Sequence, residues 1–218
     1  MRILASADLH GEHDVYRWLV SVADTAGADV VVLAGDLLGL PGGHDTVEES
    51  QRVDALAIEA ILDAIRVPVL YIMGNDDMIE LEPTNPNLRS LHGRRVELGE
   101  VNFVGYQYSL PLMGGVFEKP EEEIRRDLDA LEPLVDSGTV LVTHSPAYRI
   151  LDIGILERHA GSESIRDLVE KKKPRALIHG HIHDCFGVEG LHFNVAAAFR
   201  KRAVLIDAES LDHEFLAG

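Results

Sequence analysis

Cysteine is nearly missing: Cys185 is the only one in 218 residues. That excludes an internal disulfide and suits a reducing compartment such as the cytosol, so a cytoplasmic protein is expected. Basic residues are also scarce, 20 Lys and Arg against 37 Asp and Glu, for a formal net charge of −17. Such a surface repels a phosphate backbone, so a nucleic-acid polymer is not an expected partner. The one dense basic run, Lys171-Lys172-Lys173, falls at a predicted helix end, where cations complement the helix dipole. No apolar run approaches the ~20 residues of a membrane span, so no membrane partner is expected. There is no basic-then-apolar leader, and a first strand from residue 2 leaves no room for a targeting segment. The oligomeric state is left open.

What is present is 46% hydrophobic residues, enough for a sizeable core, and a single domain over 1–218 is expected. Strand-like runs at about 2–7 and 30–34 alternate with helical periodicity at 13–26 (Val15, Trp18, Leu19, Val22, Ala26). Thr46 and Glu49 fit a capping box. The helix it opens carries Val53, Leu56, Ala57, Ala60, Ile61 and Ala64 on one face and leads to a strand at 67–73. This β-α-β-α-β order implies a parallel sheet with right-handed crossovers.

Residues 84–93 read as irregular, and 94–98 with 101–106 as a hairpin about Gly99-Glu100. A long loop at 107–119 carries Tyr108, Leu110, Leu112, Met113 and Phe117 and a Gly114-Gly115 hinge. It reads as a lid over a site or as a surface excursion packed by its own apolar groups. Helices are predicted at 121–131 and from an N-cap at Ser162 to Lys172. Strands are predicted at 139–143, 175–179, 191–196, 203–207 and 211–215. Parallel units first and hairpin-type strands later suggest two sheets face to face with helices outside, an α/β four-layer α/β/β/α sandwich. A single mixed sheet is the alternative from pattern alone.

Five of these strands end in metal-type ligands. Asp8 and His10 follow the first, Gly35-Asp36 the second, Gly74-Asn75 the third, His144 the fourth, and Gly180-His181-Ile182-His183 the fifth. His-x-His alone is compatible with an ordinary polar strand end. The ordered set is far more specific, and ligands in open α/β sheets gather at the carboxyl ends of strands. The set resembles the calcineurin-like metallophosphoesterase superfamily, over a span from Asp8 to His183, and within it a small bacterial and archaeal phosphodiesterase-like subgroup.

The resemblance implies the same four-layer fold. It also implies one metal on Asp8, His10, Asp36 and His183, and a second on Asp36, Asn75, His144 and His181, with Asp36 bridging. Mixed Asp/His/Asn ligation suits Mn²⁺, Fe, Zn²⁺ or Ni²⁺. Such a pair of ions clamps a phosphoryl group and yields a hydroxide for in-line attack. Asn75, as a neutral ligand with an NH2 free for phosphate, and Asp76 are the expected catalytic residues. Many members carry a proton-donating His where this chain has Asp76, which is expected to be ionised; His159 or His13 could replace it from a loop. The segment His159-Ala160-Gly161-Ser162 resembles a His-x-Gly-Ser element of one subgroup, so His159 and Gly161 are expected to face substrate phosphate. His179 reads as buried or orienting a ligand. His13, His44, His92, His192 and His213 read as solvated, and Cys185 as a free thiol with a metal role as its alternative.

The expected activity is hydrolysis of a small phosphoester, preferentially a phosphodiester of a small molecule or nucleotide. The alternatives are a phosphomonoesterase, including one acting on phosphoprotein, and a metal-bound but catalytically idle binding module.

Overall fold

The structure, a computed structural model, describes residues 1–112, 114–154 and 157–218. Met113 of the expected lid lies outside them. Two six-stranded sheets stack face to face. The first runs β12(His213–Ala217), β11(Arg202–Asp207), β1(Arg2–Ser6), β2(Val30–Ala34), β3(Val69–Ile72), β4(Leu88–Ser90). The second runs β5(Arg95–Leu98), β6(Val101–Tyr106), β7(Thr139–Thr143), β8(Ala176–His179), β10(His192–Asn194), β9(Gly187–Glu189). The parallel core of each sheet is β1 to β4 and β6 to β8 with β10. Antiparallel strands close the edges at β11, β12, β5 and β9.

Period-two alternation sorts the strand residues into layers. Ile3, Val30, Val32, Leu70 and Ile72 meet Phe103, Val140, Val142, Ile178 and Phe193 between the sheets. The opposite face of the first sheet packs on α1(His13–Thr25) and α2(Val47–Leu62). The opposite face of the second packs on α3(Glu121–Leu131) and α4(Glu163–Lys172). This is the expected four-layer α/β/β/α sandwich, and the single mixed sheet is excluded.

Local expectations fare unevenly. Ser162 caps α4 by accepting from the Ile165 N–H at 3.2 Å, and Lys173 ends it in the left-handed region just before Pro174. Thr46 likewise caps α2 through the Glu49 N–H. The inward face of α2 is not the expected one. Val53 and Leu56 lie exposed, while Ser50, Gln51, Asp54, Ala55, Ile58 and Leu62 are buried. The cause is polar: Gln51 and Asp54 are turned inward because they tie down the chain around the site. In α1 the buried stripe is centred on Tyr16, with Val15, Leu19 and Ala23; Trp18 and Val22 pack at its margin. Residues 84–93 contain a short strand, β4, and β9 was not foreseen. His192 is buried, contrary to expectation, because β10 lies inside the second sheet between β8 and β9.

Candidate metal centre

At the carboxyl end of β1 the chain enters the left-handed region at Asp8 (φ 54°) and again at His10 (φ 45°). Asp36 after β2 (φ 51°) and His181 after β8 (φ 70°) do the same. Non-glycine residues pay for this conformation sterically, and such residues concentrate at functional sites. The sharp turns bring the expected ligands together. Asp8, His10 and His183 place one donor atom each within 4.8 Å of one another, as do Asp8, Asp36 and His144, and also His10, Asp36 and Asp76. The Asp36 carboxylate lies between two clusters: its Oδ2 is 4.0 Å from His10 Nε2 and 3.4 Å from His144 Nε2. Asn75 Oδ1 is 2.9 Å from His144 Nε2. His181 stands slightly apart, its ring edge-on to His144 with centroids 5.0 Å apart.

The shell behind these residues fixes them. His144 Nδ1 faces the Ala34 carbonyl at 2.9 Å, which leaves Nε2 to point into the site. The His181 N–H donates to both oxygens of Asp8, and the Asp76 N–H donates to Asp36 Oδ1 at 2.8 Å. Asp77, buried, accepts from the N–H groups of Leu37, Leu38 and Gly74, so one carboxylate holds the turns that carry Asp36 and Asn75. From α2, Asp54 accepts from the Gly39 N–H at 2.7 Å, and Gln51 bonds the Asp76 carbonyl and the Met78 N–H. Sequence reasoning missed Asp77, Asp54 and Gln51. The only signal for the last two was polar residues recurring within an apolar helix.

Electrostatics favour a cation here. Burial alone would raise the Asp36 carboxyl, yet His144, His10 and the Asp76 N–H hold it well below the usual carboxylate range. Burial opposes a charged His144 ring, but Asp36 and Asp8 draw its pKa up to about 10. The proton on His144 thus occupies a place where positive charge is wanted, and metal ions would compete with it there. Burial, then the neighbouring His144, lowers His181 to about 4, so it is neutral and its lone pair is available. Burial and the Asp36 charge push Asp77 up to about 8. The same two influences raise Asp76. Mixed carboxylate, imidazole and amide donors, neutral or anionic as required, fit divalent transition ions.

A cleft of about 500 Å³ opens on this cluster, lined among others by Asp36, Asn75, Asp76, His181, His183, Leu112, Arg158 and Ala160. Leu112 brings the 107–119 loop to the cleft, as a lid would require. The segment expected to bind phosphate behaves differently. Of its four residues Ala160 lines the cleft, next to Arg158 just before the segment, whereas His159 Nδ1 lies 2.7 Å from Asp152 Oδ1 and the Gly161 N–H donates to Asp152 Oδ2. The first turn of α4 is also engaged, with the Ser164 N–H on Glu121 at 2.7 Å. Neither His159 nor His13, which faces Asp54 at 2.7 Å, lines the cleft. One hydrogen of the Asn75 amide is engaged by Asp76 Oδ1 at 2.7 Å. Cys185 donates to the Ile153 carbonyl and belongs to no metal-type cluster among the described residues. His179 is buried with Nε2 unpartnered among the described residues.

Carboxylates and imidazoles gathered at strand ends form a candidate metal site in an α/β sandwich. Residues 1–185 match the profile of the calcineurin-like phosphoesterases, and the chain belongs to that family. It is 25% identical over 174 residues to a probable cyclic nucleotide phosphodiesterase of Rhodococcus erythropolis, covering 74% of this chain and 54% of the relative. The chain thus spans about half the length of the curated relative it matches. Among solved structures it is similar in fold to a protein from Thermus thermophilus (TM-score 0.74, 19% identity, 99% of this chain and 98% of that one). A dimetal phosphatase from Danio rerio is also similar in fold (TM-score 0.63, 13% identity, 100% and 98%). No helix among the described residues is long and apolar enough to cross a membrane.

Proposed function

We propose that this chain is a dimetal-dependent phosphodiesterase acting on a small molecule or nucleotide. Asp8, His10, Asp36 and His183 would hold one ion, and Asp36, Asn75, His144 and His181 the other. When bound, such a pair supplies the positive charge that polarises a phosphoryl group and makes water a stronger nucleophile. The observation that supports the reading is the clustering of carboxylate and imidazole donors from strand ends beside a cleft that Asp36, Asn75, His181 and His183 line. A complete donor set counts against an idle binding module.

The cleft wall supports a diester over a monoester. Asp76 and Asp184 present carboxylates to it, and these repel a dianion more than a monoanion. Arg158, whose guanidinium has no partner among the described residues, would pair with a phosphate oxygen. The histidines lining the cleft, His181 and His183, are both assigned to metal, so no imidazole remains to protonate a leaving group. Substrates with good leaving groups therefore suit the site. The relative from Rhodococcus erythropolis, named as a probable cyclic nucleotide phosphodiesterase, points the same way. The test is to load the protein with Mn²⁺ and compare bis-p-nitrophenyl phosphate with p-nitrophenyl phosphate. Faster turnover of the diester is expected. Faster turnover of the monoester would overturn the diester assignment, and no turnover with any transition metal would favour a binding module.

A further inference from the structure

Between β10 and β11 the chain crosses from one sheet to the other. The Val195 N–H bonds the His179 carbonyl, and the Ala197 N–H bonds Ala7, beside the metal cluster. It then makes a tight turn in which the Arg200 N–H donates to the Ala197 carbonyl. Both central residues have positive φ, Ala198 at 49° and Phe199 at 64°. Turns with two such residues favour Asn-Gly, because a Cβ clashes there. Phenylalanine is among the poorest choices for the second position, and local physics does not explain it.

Its surroundings offer a reason. The Phe199 ring stacks on the His10 ring, with centroids 4.6 Å apart and planes 22° apart, and stands edge-on to His183 at 6.0 Å. Both histidines belong to the candidate metal cluster. Yet Phe199 remains 55% exposed. A large aromatic residue that served packing would be buried. This one is held at the rim of the site with His10 on one side and much of its surface open to solvent. An aromatic ring exposed beside a candidate metal site is suited to a planar group, since stacking is tolerant of the ring that supplies it.

We infer that Phe199 is a specificity residue that stacks against a planar heterocycle on the phosphoester substrate, so that the site prefers diesters carrying a nucleobase over alkyl diesters. The inference deepens the phosphodiesterase reading and rests on it. Two diesters with one leaving group isolate the effect: the p-nitrophenyl ester of thymidine 5′-phosphate, and methyl p-nitrophenyl phosphate. With Mn²⁺, the wild type is expected to favour the nucleotide ester. Phe199→Ala should lower kcat/KM for that ester by roughly 5- to 100-fold, the range of a lost base–aromatic stack, chiefly through KM. The methyl ester should change by less than about 2-fold, and Phe199→Trp should keep the preference. Phe199→Gly, which suits the turn, should raise Tm while losing the discrimination. An equal fall for both esters, with weakened Mn²⁺ binding in calorimetry, would make the ring a mere support for His10 and overturn the inference. If the wild type cleaves neither ester, the phosphodiesterase reading falls. The stacking is then decided by titrating Mn²⁺-loaded protein with thymidine 5′-monophosphate and methyl phosphate. A nucleotide preference lost in Phe199→Ala upholds it, and equal affinities reject it.

Discussion

The backbone N–H of His181 donates to both carboxylate oxygens of Asp8, at 3.1 and 3.0 Å, and so joins the last ligand motif of the chain to the first. Gly180 makes the approach possible. A Cβ at that position would collide with Asp8 Oδ2 and with the Ala7 side chain. Gly180→Ala should therefore leave the sandwich folded, since the crowding is confined to the strand end. It should weaken Mn²⁺ binding by at least about tenfold, as loss of an orienting contact around a ligand typically does. Isothermal titration with a circular dichroism control checks both; unchanged affinity would mean that Asp8 tolerates displacement.

Asp36 lies within reach of both His10 and His144. Asp36→Asn keeps the shape but removes the charge, and it should reduce bound metal from two ions per chain toward none. Elemental analysis of purified protein measures this. An undiminished two per chain would reject the bridging role.

The burial of His192 gives a pH dependence away from the metal cluster. Its pKa is lowered by burial from 6.5 to about 4. Between those values the unfolded chain binds the proton and the folded chain does not, so stability falls as pH falls through this window. At pH 5 the expected loss against pH 7 is about 2 kcal/mol, from 1.36 kcal/mol per unit. His179, lowered to about 3 by burial, adds a loss of the same sign. Urea melts of wild type and His192→Leu at pH 7 and pH 5 should show a shallower pH dependence in the variant.

Asp76 borders the cleft, with Oδ2 3.6 Å from His10 Nδ1. Asp76→His would place a proton donor there and remove a charge that repels dianions. Monoesterase activity on alkyl phosphates should rise, toward the ~10²-fold low end of general-acid effects, and by more than on p-nitrophenyl phosphate. A dependence of rate on leaving-group pKa identical to the wild type would show that another group supplies the proton.

The ligand-bearing strand ends were legible because each is a short apolar run followed by a glycine or a polar ligand, and that signal is local. Their order along the chain was also informative, since parallel strands end on one side of a sheet. The inward face of α2 was not legible. Hydrophobic periodicity assigns Val53 and Leu56 to the core, but hydrogen bonds from Gln51 and Asp54 to residues 39, 76 and 78 override it. The orientation of the segment at 159–162 was not legible for a related reason. Asp152, seven residues before His159, takes both His159 and the Gly161 N–H, and a partner across a loop leaves no periodic trace. Phe199 escaped notice because nothing in Ala197-Ala198-Phe199-Arg200 announces a turn.

The orientation of α2 also bears on how the protein behaves in solution. With its polar residues turned inward, the helix shows Val47, Val53 and Leu56 to water, and Leu40 is exposed in the preceding loop. Mutual repulsion between molecules that each carry a charge of −17 opposes self-association through such residues. Acidification that protonates the carboxylates, or high salt that screens them, removes that protection. Colloidal stability of this protein is thus coupled to its excess of acidic residues.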